Sequence, residues 1–148
     1  MQSMLPKRHD WATEYDGWKD VAFDDEPIVY IRADGVHSGL REEDNTLCAL
    51  VIIGVTALGQ KRFMAIEDGV RESSQSWREV SLNLKSRGMN VPKLAIGPSH
   101  RFQANDCRAV DGAMGLWAAM EEVYPATRHQ RCWQHKTMNV FNWEYPKL

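Results

Sequence analysis

Cysteine is scarce in this chain, and the three present, Cys48, Cys107 and Cys132, make no even-numbered disulfide framework. That agrees with a reducing compartment. Long apolar runs are also missing: the longest, Leu47 to Thr56, is far too short to span a bilayer and contains Gly54. Residues 1–10 have no apolar core of signal-peptide length, so a cytoplasmic location and no membrane partner are expected. Nor does one sign of charge dominate. Lys and Arg number 18 against 20 Asp and Glu, a net charge of −2. Such a balance exerts no overall pull on a phosphate backbone, so any nucleic-acid binding has to come from local patches such as Arg128, Arg131 and Lys136. No internal repeat or low-complexity segment appears. What is there, 148 residues with 43% hydrophobic and 26% charged side chains, is the size and composition of one ordinary globular domain.

The periodicities give an order of elements. Trp11, Tyr15 and Trp18 stand at i, i+4, i+7 within the polar residues 1–26, which predicts an amphipathic helix docking on the domain. The run Asp24-Asp25-Glu26-Pro27 ends it. Three strands follow: Ile28 to Ala33, with Val36 to Arg41 as its continuation; Leu47 to Thr56; and Arg62 to Ile66 after the turn Ala57-Leu58-Gly59-Gln60. The second is apolar on both sides and so is expected in the centre of the sheet. Short connections make the three an antiparallel meander. Ser76-Trp77-Arg78-Glu79 fits a capping box, Trp77, Val80 and Leu84 share one helical face, and Gly88 supplies the stop. Lys93 to Ile96 reads as a fourth strand and residues 97–110 as irregular. Ala113, Leu116, Trp117, Met120 and Val123 make a further amphipathic helix stopped by Pro125, and Thr127 to Trp133 a fifth strand. The order β-β-β-α-β-α-β argues a mixed α/β sheet flanked by helices.

Two Asp-Gly steps carry the chemical interest, Asp34-Gly35 after the first apolar run and Asp111-Gly112 before a helix. Each has two readings. Asp-Gly is ordinary turn chemistry, and Asp111 suits the N-cap of a Gly112–Tyr124 helix. Equally, carboxylates from distant segments can converge at one sheet edge and hold a hard cation. Cys132 and His135 read as a buried thiol beside a surface histidine. Gathering His100, Cys107, His129, Cys132 and His135 into a zinc site has little support, because one Cys-x-x-His is half a tetrahedral set. Trp77 and Trp117 lie on apolar helical faces and are expected in the core. Arg128, Arg131 and Lys136 form a solvated face or contact phosphates.

Six stretches, in order over roughly residues 14–140, resemble the catalytic domain of Mutator-type transposases of bacterial insertion sequences. They are Tyr30 to Val36, Cys48 to Val55, Glu67 to Trp77, Lys93 to Gly97, Asp111 to Trp117 and Gln130 to Val140. The resemblance implies an RNase H-like fold: a three-strand antiparallel meander plus parallel strands, flanked by helices. It implies Asp34 and Asp111 as catalytic, metal-binding carboxylates, Mg²⁺ or Mn²⁺ as cofactor, and Cys132 and His135 as a family signature. The reaction implied is metal-dependent cleavage and transfer of DNA strands, with insertion-element ends and target DNA as partners, and a homo-oligomer or a full-length transposase as protein partner. The family's third catalytic residue, a Glu further on, has no matching position here; Glu144 lacks its context. Residues 98–110 stand where relatives pass directly from strand to Asp-Gly. On that basis residues 1–26 are expected to be a helical remnant, 27–140 a truncated catalytic domain and 141–148 a non-family tail. An active enzyme and a catalytically inactive remnant that at most binds DNA or a full-length transposase both fit, and a nuclease of the same fold with another purpose is a third reading.

Overall fold

The computed structural model describes residues 8–42, 45–69, 73–98 and 110–137. Along them run α1 (Arg8–Lys19), β1 (Ile28–Glu42), β2 (Asn45–Thr56), β3 (Lys61–Gly69), α2 (Ser74–Ser86), β4 (Leu94–Gly97), α3 (Val110–Val123) and β5 (Arg128–Arg131). The strands form one five-stranded sheet in the order β3-β2-β1-β4-β5. β1, β2 and β3 pair antiparallel, whereas β4 pairs parallel to β1 and β5 parallel to β4. A meander extended by two parallel strands is the RNase H-like arrangement that the resemblance implied.

The strand expectations hold, with one adjustment. β2 lies inside the sheet, but β1 takes the middle place, because β4 adds to its free side. Within β1 the alternation of period two buries Ile31 and Ala33 and exposes Arg32 and Asp34. The buried set joins Leu50, Ile52 and Met64 of the meander to Trp77, Val80 and Leu84 of α2 and Leu116, Met120 and Val123 of α3 in one core. Both tryptophans expected in the core are there.

α2 begins earlier than expected. Its N-cap is Ser73, whose hydroxyl accepts from the Ser76 N–H at 3.0 Å. Ser76 is therefore the capped residue and not the cap, so the Ser76–Glu79 capping box is not formed. The other end agrees. Gly88 takes a left-handed φ of 86°, and the N–H groups of Gly88 and Met89 donate to the carbonyls of Lys85 (3.2 Å) and Leu84 (3.1 Å). These two bonds are a Schellman motif, with Met89 and Leu84 both buried.

Arg87, which no pattern in the sequence singled out, fastens the N-terminal region to this end of α2. Its guanidinium donates to the carbonyls of Val21 and Met64, each at 2.9 Å, and lies 4.6 Å over the Phe23 ring. Burial lowers its pKa, opposed by Asp20 and Glu67. α1 docks on β3 as expected, with the Tyr15 hydroxyl donating to the Ile66 carbonyl and Lys19 3.7 Å from Glu67. Burial raises the Tyr15 pKa, helped by Glu67. Among the described residues no helix is long and apolar enough to cross a membrane.

Candidate functional site at the carboxyl ends of the parallel strands

Asp34 owes its position to two features of β1. The alternation turns it to the exposed side, and β1 outruns its parallel neighbour. The last pair between β1 and β4 is Arg32 with Ile96, so Asp34 sits two residues past it, about 7 Å at ordinary strand rise. Chain direction makes this the carboxyl end of β4 and β5, while β1 runs on past it to Glu42. In open α/β sheets that end is where crevices and ligands are found, because loops and helix starts gather there.

α3 begins at the same end. A Cβ on Gly97 would lie 2.5 Å from Leu116 Cδ2 and 3.0 Å from Trp117 Cζ2, so only glycine lets α3 pack this closely on the tip of β4. Trp117 Nε1 donates to the Pro98 carbonyl at 3.3 Å. At the other end of α3, Thr127 donates to the Pro92 carbonyl at 2.8 Å, near the start of β4. The helix therefore runs back along the sheet from the carboxyl edge. Asp111 is in its first turn, on the same edge of the sheet as Asp34, and its side chain lies outside the described residues. Because α3 starts at Val110, Asp111 is inside the helix and not its cap.

The third element is the turn after β5. Cys132 is buried, and its N–H donates to the Gly97 carbonyl at 2.7 Å. A single helical turn over residues 133–137 follows, and His135 Nε2 lies 3.4 Å from Asp34 Oδ1. Spacing alone could not show this meeting, since it depends on β5 pairing beside β4. The expectation of a buried thiol and a surface histidine is met for Cys132, while His135 is half-buried and turned to Asp34.

The cationic residues divide. Arg131 pairs with Gly97 at the site end of β5, and Lys136 is on the following turn. Arg128 pairs with Leu94 at the opposite end, about 10 Å away at ordinary strand rise. All three are exposed. Trp133, not singled out from the sequence, is 71% exposed on the same turn, with Lys136 Nζ 5.0 Å over its ring. An exposed tryptophan beside cations is a surface suited to a nucleobase and phosphate.

Of the residues weighed for zinc, His129 stacks on Trp117 with centroids 4.7 Å apart, and His100 and Cys107 lie outside the described residues, as does Glu144. Among the described residues no three His, Cys, Asp or Glu side chains come together as a metal site. The donor that is described, Asp34, is a hard carboxylate oxygen with 52% of its side chain exposed, which suits a Mg²⁺-class cation in kind. A groove lined by Glu14, Tyr15, Trp18, Phe63 and Ile66 lies at the β3 edge, the far side of the sheet from β5.

Residues 12–146 match the family model described as Transposase, Mutator family. The transposase for insertion sequence element IST2 of Acidithiobacillus ferrooxidans is 42% identical over 139 residues, covering 93% of this chain and 42% of that protein. The transposase for insertion sequence element IS6120 of Mycolicibacterium smegmatis is 44% identical over 124 residues, covering 84% of this chain and 34% of that protein. The chain thus spans less than half the length of these curated relatives. Among solved structures, the HTLV-2 integrase catalytic core domain in complex with magnesium is 14% identical, with a TM-score of 0.44 over 83% of this chain and 77% of that one.

Proposed function

The chain belongs to the Mutator family of transposases, and from that premise we propose that it carries the cation-binding edge of a DNA-cleaving and strand-transferring domain of an insertion element. The observation that supports this most is the position of Asp34: exposed, on the middle strand, just past the end of β4. Asp34, with Asp111 at the head of α3, would hold a Mg²⁺- or Mn²⁺-class cation. When bound, such a cation supplies Lewis-acid stabilisation of charge on the oxygens of an in-line phosphoryl transfer.

The chain's own residues have distinct parts in this reading. Asp34 offers a carboxylate oxygen on a rigid strand, where its place is fixed by the pairing with Val51. Arg131 and Lys136 draw a phosphate backbone toward that edge and offset some of its charge. With a net charge of −2 over the whole chain, these local cations have to supply the attraction. DNA, as element end or target, is the proposed substrate, and further copies or a longer family member the proposed protein partner.

The test is nicking of a supercoiled plasmid carrying the element's ends, in Mg²⁺ or Mn²⁺, by the wild-type chain and by Asp34→Ala. Metal-dependent nicking that drops to background in the variant is expected. Absence of nicking, or nicking that survives the substitution, contradicts the assignment. A chain that retains DNA in a salt-dependent way, or co-purifies with a full-length transposase, without nicking supports the inactive-remnant reading instead.

A further inference from the structure

Neither Cys132 nor His135 has a part in the chemistry above, yet the fold explains their spacing. Cys132 buries its side chain at the end of β5 and ties the chain to the tip of β4 through its bond to the Gly97 carbonyl. The helical turn starts there, closed by the Lys136 N–H donating to the Cys132 carbonyl at 3.0 Å. Residues three apart on a helical turn lie on neighbouring positions of one face. With Cys132 anchored, His135 is carried over the end of β4 to Asp34 on β1. β4 has stopped at Gly97, so no strand stands between them.

The imidazole has two different nitrogens here. Nε2 lies 3.4 Å from Asp34 Oδ1, within ion-pair distance but longer than an ordinary N–H···O bond, and catalytic contacts often tighten when a site is occupied. Nδ1 is buried and has no partner among the described residues. A carboxylate only accepts, so the proton belongs on Nε2. That tautomer leaves a bare lone pair at Nδ1, and under-satisfied buried acceptors are commoner than orphaned N–H groups.

We propose that His135 is a positioning residue for Asp34. Its Nε2–H donates to one carboxylate oxygen, holds the side chain in one orientation and leaves the other oxygen to the cation. The Cys-x-x-His spacing is then a bracket: a buried anchor, and a hydrogen-bond donor three residues on. The inference rests on the cation-binding reading of Asp34, and the test separates the two.

Two measurements on the full chain, without DNA, decide it. In the first, imidazole ¹⁵N shifts of the labelled protein report the tautomer. The Nε2–H form of His135 is expected in the wild type and is lost or averaged in Asp34→Ala. An Nδ1–H form, or a tautomer indifferent to Asp34→Ala, overturns the proposal. In the second, Mn²⁺ binding is followed by electron paramagnetic resonance, with thermal melting as a check on folding. Asp34→Ala should abolish binding, and His135→Ala should weaken it about 10–100-fold, as outer partners of metal ligands do. His135→Gln, which keeps an N–H donor, should recover most of the loss. Wild-type affinity in His135→Ala overturns the positioning role while the cation reading stands. A wild type that binds no Mn²⁺ contradicts the cation reading, and the tautomer then decides whether His135 holds Asp34.

Discussion

Two regions of this molecule share β1 and use it differently. On its helix-covered side Ile31 and Ala33 are buried in the same core as Trp77, Leu84, Leu116 and Met120. Further along it, past the tip of β4, Asp34 meets His135 with half of its side chain open to water. Successive residues of one strand thus face the core and the proposed site in turn, because a strand sends neighbouring side chains to opposite faces. The contrast teaches where each kind of damage should register. Changes in the covered layer should cost stability, and changes at the carboxyl edge should cost ligand binding while leaving the fold alone.

The sharpest way to break the covered layer is Trp77→Ala. Trp77 is fully buried, and truncating a buried Trp costs about 3–5 kcal/mol, read as a lower denaturant midpoint. Trp77→Phe should cost much less, since the indole Nε1 is buried without a partner among the described residues. Gly97→Ala probes the junction of the two regions. Its new methyl group meets Leu116 and Trp117, so a loss of about 1–3 kcal/mol is expected, together with weaker Mn²⁺ binding as α3 is pushed off the tip of β4. Asp34→Ala, by contrast, should shift the midpoint by no more than about 0.5 kcal/mol, the scale of exposed substitutions. If it unfolds the chain, the separation between packing and chemistry fails.

The smallest effect concerns alkaline pH. Burial raises the Tyr124 pKa above the ordinary phenol value of 10.0, so the folded state holds that proton more tightly than the unfolded state. Its contribution is complete below the ordinary value and is lost as pH rises through and beyond it. Urea midpoints should therefore fall on passing above about pH 10, and Tyr124→Phe should flatten that fall. An equally steep fall in the variant assigns it to other groups.

Much of the fold was legible because its signals are local. The apolar alternation and short connections of residues 28–69 give a meander, and Gly88 marks the end of α2 through a backbone conformation that few other residues adopt. The misreadings have physical causes. Ser73 and Ser76 are both capping residues by type, and only the bond from Ser76 N–H to Ser73 Oγ tells cap from capped. The expectation for β2 held, since it has a neighbour on each side, and the later pairing of β4 gives the middle place to β1. At the site, Asp34 was recognisable from its Asp-Gly step and surroundings. Its contact with His135 was not, because it depends on β5 lying beside β4, a tertiary fact that no spacing records. Arg87 was missed for the same reason: its partners Val21 and Met64 are distant in sequence.

The claim that the carboxyl ends of the parallel strands bind a divalent cation can be mapped directly. Fe²⁺ substituted for Mg²⁺, with ascorbate and peroxide, cuts the polypeptide where the ion sits, and mass spectrometry locates the cuts. Cleavage clustered around Asp34 and around the turn at residues 133–137, suppressed by excess Mg²⁺ and absent in Asp34→Ala, is the expected result. Cuts scattered along the chain, gathered at another edge of the sheet, or unchanged in Asp34→Ala would contradict it.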